Sequence, residues 1–217
     1  MDIYELVRGP FAWVALILFI VGSLYRIAAM LISGKKEPSL YPATSLKDGL
    51  RSILHGLMPF GSTYMRRQPL FTVVTIGFHL GVIILPLFLL AHTVLWYESW
   101  QILWWSLPDL LADIVAVWVM LACVYFLVRR STVPEVKQVT RPTDILLPAI
   151  VLLTFLTGFL AYHQWGPYRP MLILHILAGE ILLVTIPFSK LGHMLFIMFS
   201  RAYMGAEFGK VLKAREW

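Results

Sequence analysis

Apolar residues in this chain come in five long runs, and the polar residues gather between them. A helix of about twenty apolar residues crosses the ~30 Å hydrocarbon core of a bilayer. The pattern predicts spans near 11–33, 70–97, 108–128, 143–163 and 170–199. One long polar stretch, 34–69, separates the first two. Within it Ser45 followed by Asp48 resembles a capping box, and Leu46, Leu50, Ile53, Leu54 and Leu57 recur at helical spacing. That predicts an amphipathic helix over 45–58, lying on the membrane surface or under a partner. The expected fold is all-α: an integral membrane bundle of five transmembrane helices forming a single domain, 1–217, with a tail at 200–217.

Composition agrees. Hydrophobic residues make up 59% of the chain and charged residues 14%, where a soluble domain is nearer one quarter charged. The first apolar run follows Asp2, Glu5 and Arg8, is too long for a signal peptide and lacks a small-residue cleavage site, so it is expected to stay as a span. The single cysteine, Cys123, lies within a span, which excludes disulfides, CxxC iron–sulfur motifs and CxxCH haem attachment.

The net charge of +6 changes meaning once its distribution is read. Lys35, Lys36, Lys47, Arg51, Arg66 and Arg67 lie in the first loop; Arg129, Arg130, Lys137 and Arg141 follow span three; Arg201, Lys210, Lys213 and Arg215 lie in the tail. The opposite side carries only Arg8 and Arg169. This asymmetry places the N-terminus outside and the C-terminus in the cytoplasm, and it points to a lipid bilayer and not to nucleic acid. Trp96, Tyr97, Trp100, Trp104 and Trp105, then Trp165 and Tyr168, crowd the outer loops at headgroup level.

Histidines carry the candidate chemistry. His175 and His193 stand eighteen residues apart in one apolar run, so on a continuous helix they share a face about 27 Å apart. Span two carries His79 and His92. In the predicted orientation His79 and His193 are inner, and His92 and His175 outer. Two such pairs are what two bis-histidine haems b require, held by coordination and packing. The thirteen residues between His79 and His92 turn the helix by about 220°, so His92 needs Pro86 to kink or rewind the span. Otherwise His163, at the outer end of span four, is the alternative partner of His175. A lone intramembrane histidine is more often an interhelical hydrogen-bonding residue; four at matched depths argue for ligands. His55, outside the bilayer core, reads as a surface residue.

Other polar residues are read more cautiously. Lys190 pairs with a haem propionate or reaches the inner headgroups. Arg26 is a similar candidate. Asp109 and Asp113 share a face at the start of span three, as helix-start carboxylates or as proton acceptors of an outer quinol site. Glu180 faces away from His175. Gly179 and Gly192 would permit close approach of a macrocycle.

The run from His175 through PFSKLGH to His193, with His79 and His92 on the second span, resembles the five-span cytochrome b family that includes the gamma subunit of respiratory nitrate reductase. The resemblance covers most of the chain and implies those four histidines as metal ligands, although the family's spacing on the second span is shorter than here. Size and character are closer to the cytochrome b subunits of the Tmc and Hmc transmembrane redox complexes of sulfate-reducing bacteria. That resemblance implies the bacterial cytoplasmic (inner) membrane, a cytoplasmic iron–sulfur partner of the heterodisulfide-reductase kind, and a periplasmic multihaem cytochrome c. The expected function is a di-haem b electron-transfer subunit, with menaquinol oxidation at the outer haem as its enzymatic version. The competing reading is a haem-free membrane anchor or small transporter subunit.

Overall fold

The computed structural model describes residues 2–36 and 45–211, with no strand among them. Of the cations counted above, Lys213 and Arg215 lie outside the described residues, as do the side chains of Lys35, Lys36 and Lys210. A short helix α1 (Ile3–Leu6) runs through a wider π turn at Val7–Phe11 into α2 (Ala12–Lys36). There follow α3 (Leu46–Leu57), α4 (Thr63–Arg67), α5 (Pro69–Phe88), α6 (Leu90–Trp100), α7 (Asp109–Thr132), α8 (Pro134–Val139), α9 (Pro142–Tyr162), α10 (Tyr168–Phe188) and α11 (His193–Ala206). Five stretches are long and apolar enough to cross a membrane: Ile3–Ile32, Pro69–Phe88, Asp109–Thr132, Pro142–Tyr162 and Tyr168–Phe188. The chain is an all-α, multi-pass membrane protein.

Two of the predicted spans are interrupted. The second was expected to run to residue 97, but α5 stops at Phe88 and Leu89 is extended (φ −71°, ψ 133°) before α6 begins. Pro86 lacks an N–H and weakens the last turn of α5. The carbonyls freed there find other donors. The Trp104 indole donates to Leu87 O at 2.7 Å, and the Leu107 N–H to Phe88 O at 2.8 Å.

The fifth span was expected to carry His175 and His193 on one helix. Instead α10 ends at Phe188 after Pro187, and Ser189 is extended (φ −131°). The Ser189 hydroxyl accepts the Leu191 N–H at 3.1 Å, nucleating a 3₁₀ turn over Lys190–Gly192 from which α11 starts at His193. The shared helix face predicted for His175 and His193 is therefore corrected: the two lie on different helices.

Two compact units result. The first comprises Met1–Ala12 and Val73–Leu182. Its core centres on Val119 and Cys123 of α7 and Val151 of α9, with Phe78, Val82, Phe155 and Leu182 packed round them. Glycines let α5 approach α7: Gly77 lies against Trp118 and Gly81 against Val119, where any Cβ would collide. Buried Thr154 and Thr157 donate to the carbonyls of Ile150 (2.9 Å) and Leu153 (2.7 Å), so neither hydroxyl is orphaned in an apolar surrounding. Arg8 pairs with Glu98 at 3.0 Å, and Arg169 with Asp2.

The second unit comprises Trp13–Thr72 and Leu183–Trp217. Here α3 packs on α11 through small residues, with Gly49 against Ala202 and Ser52 against Gly205. Ser45 caps α3, accepting the Asp48 N–H at 3.3 Å and donating its hydroxyl to Asp48 Oδ2 at 2.5 Å. The guanidinium of Arg26 stacks over Phe196 at 5.5 Å, a cation–π contact.

Candidate metal centre

The first unit brings two of the histidines together. His175, on α10, directs Nδ1 at Thr154 O on α9, 3.0 Å away. One turn further along α9, a Cβ on Gly158 would stand 2.7 Å from His175 Cε1 and 2.9 Å from Nδ1. Position 158 thus needs glycine to seat this ring, and Thr154 fixes its rotation. On the facing side, the break after Phe88 frees the Pro86 carbonyl, and His92 Nδ1 reaches back to it at 3.2 Å. The interruption that separates α5 from α6 is therefore what aims His92.

The His92 and His175 ring centroids lie 6.0 Å apart with planes 4° from parallel. A metal–imidazole bond is about 2 Å, so two rings sharing one ion through facing nitrogens have centroids about 6 Å apart. The 6.0 Å centroid separation of the near-parallel rings is of that size.

Protonation follows from the backbone contacts. A carbonyl accepts only from N–H, so the proton sits on Nδ1 of both rings and the lone pair on Nε2, the atom a metal uses. His79 follows the same rule, donating from Nδ1 to Thr75 O at 2.7 Å, and so does His193, to Lys190 O at 2.8 Å. Such an outer hydrogen bond fixes a ligating imidazole's tautomer and orientation. His79 belongs to the first unit and His193 to the second. Lys190 contributes its backbone carbonyl to His193, a role its charge did not suggest, and its side chain is exposed.

His163 is held differently. Its Nε2 lies 2.9 Å from Asp113 Oδ1, and its ring packs against Phe159 and Trp165. Where His92 and His175 turn Nδ1 to a carbonyl, His163 commits Nε2 to a carboxylate. Next to it, the Tyr162 hydroxyl donates to Asp109 Oδ1 at 2.6 Å. The two carboxylates that start α7 thus each hold a proton-bearing side chain from the end of α9. His55 lies on α3, remote in sequence from both clusters. Glu180 keeps one buried carboxyl oxygen with no hydrogen-bond partner among the described residues.

Among the described residues no group of three or more His, Cys, Asp or Glu side chains gathers as a metal site. A bis-histidine centre has two protein ligands, fewer than such a group contains. Thr154, Gly158 and Trp104 were not anticipated as parts of this arrangement. Thr154 and Gly158 stand four apart on one face of span four, a small-residue pattern that marks a close approach without saying what approaches.

No protein-family model matches the chain. It is 33% identical over 210 residues to a protein of Nitratidesulfovibrio vulgaris (strain Hildenborough), a match covering 94% of this chain and 93% of that one.

Proposed function

The chain belongs to the family of that Nitratidesulfovibrio protein, and we propose that it is a di-haem b subunit of a respiratory redox complex in the bacterial inner membrane. It carries electrons between a periplasmic donor, a multihaem cytochrome c or menaquinol, and a cytoplasmic iron–sulfur subunit. The observation that carries this reading is the His92–His175 pair, 6.0 Å between centroids, with both Nδ1 atoms turned to carbonyls.

His92 and His175 would hold the outer haem. Bound haem b supplies a one-electron iron couple whose potential the axial imidazoles and their burial adjust. Thr154 and Pro86 keep both rings in the ligating tautomer, and Gly158 keeps space for His175. A second haem on His79 and His193 rests on the sequence reading, supported by the same Nδ1-to-carbonyl arrangement in each. The origin of the relative in a sulfate reducer fits the likeness to the Tmc and Hmc complexes.

The pairing of Asp113 with His163 and of Asp109 with Tyr162 favours the menaquinol version. Quinol oxidation releases protons, and a carboxylate–imidazole pair accepts one. A pyridine haemochrome assay on the purified chain tests the central reading: protohaem is expected, and its absence leaves the haem-free anchor or transporter. A change in haem reduction on adding a quinol analogue tests the second.

A further inference from the structure

Helix α3 has three stripes, and the packing on α11 accounts for one. At about 100° per residue, Gly49, Ser52 and Gly56 fall on one side, the side that meets Ala202, Gly205 and Arg201. Leu46, Leu50, Leu54 and Leu57 fall on another and stay exposed, Leu46 at 79% and Leu54 at 64%. Lys47 and Arg51 border that leucine row on its far edge. Four exposed leucines on a twelve-residue helix are a patch that requires a cover.

The surroundings say which cover. Lys47, Leu50, Arg51, Leu54, His55 and Met58 line a shallow cradle of about 460 Å³, apolar at its floor and basic at its edge. Segment 45–72 carries four basic residues, Lys47, Arg51, Arg66 and Arg67, against the single acid Asp48. That acid is already engaged by Ser45 and by Arg51 at 3.4 Å. An apolar row bordered by cations is the arrangement of a helix lying in a bilayer interface, acyl chains below and phosphates beside it.

We propose that the leucine face of α3 binds the acyl region of the membrane surface, with Lys47 and Arg51 holding the headgroup phosphate of an anionic phospholipid. The helix then fixes the level of the α3–α11 pair at the membrane. This does not depend on haem.

The test uses the full chain. In native mass spectrometry from mixed micelles, the protein is expected to retain phosphatidylglycerol in preference to phosphatidylcholine. The Lys47→Gln/Arg51→Gln variant should lose about twenty-five-fold of that preference, roughly fivefold per charge. In vesicles, a bimane on Leu54→Cys, in a Cys123→Ala background, should be quenched by brominated acyl chains and protected from iodide. An unchanged preference in the double variant overturns the headgroup assignment. Iodide quenching of the bimane overturns the membrane assignment, leaving the face to a protein partner.

Discussion

The two broken spans make an instructive pair. Each contains a proline near its end, Pro86 in α5 and Pro187 in α10, and each is followed by one extended residue, Leu89 or Ser189. Each break places a histidine at the start of the next helix with Nδ1 on a backbone carbonyl, of α5 for His92 and of the 3₁₀ turn for His193. The support differs. At the first break the freed carbonyls are taken up by Trp104 and Leu107, seventeen and nineteen residues downstream of their acceptors. There His92 ends opposite a second imidazole. At the second break Ser189 bonds to Leu191 and His193 to Lys190 three residues back, while Gly22 of α2 lies against Pro187 and Phe188. One device thus aims a ring by tertiary contacts and the other by a short turn.

The largest expected effect separates the two breaks directly. His193→Ala should remove the inner haem and leave the outer one, halving protohaem per chain; loss of neither haem in that variant refutes the pairing. Next come the prolines. Pro86→Ala restores the missing N–H, lets α5 continue and turns His92 away, so the optical band of the outer haem should shift or vanish. Pro187→Ala should leave that band unchanged. Identical spectra for both variants would show that the first break does not aim His92.

Gly158→Ala tests the other side of the pair. Its Cβ would meet the His175 ring at 2.7 Å, an overpacking expected to cost about 1–3 kcal/mol, read as a lower thermal midpoint together with an altered outer haem spectrum. A stable variant with an unaltered spectrum would mean that α9 does not seat the ring. The smallest effects belong to Trp104→Phe and His163→Gln. The first removes one indole–carbonyl bond and should cost about 1 kcal/mol. His163→Gln should leave protohaem content unchanged, and a loss of haem there would return His163 to the ligand set.

How far the sequence reached follows from these same residues. Five apolar runs were legible because span length and composition are local properties, and the Ser45 cap was legible for the same reason. The breaks were half legible. Pro86 marked where span two would be disturbed, but not that Leu89 would leave the helix altogether, and the fifth span was expected to run on through Pro187 and Ser189. That outcome depends on Trp104 and Leu107 for the first, and on a serine cap that reads as ordinary sequence for the second. The feature that sets His163 apart from His92 was out of reach, since it is the hold of Asp113, fifty residues away, on Nε2. Likewise the expected single face for His175 and His193 assumed a continuous helix, which Ser189 interrupts.

The most direct test of the central claim is the protohaem content of the purified chain, measured as pyridine haemochrome in the wild type and in His175→Ala. The account predicts two protohaems per wild-type chain and one in the variant, with the outer band missing from its low-temperature spectrum. A wild type without protohaem, or a His175→Ala chain that keeps both, would contradict it.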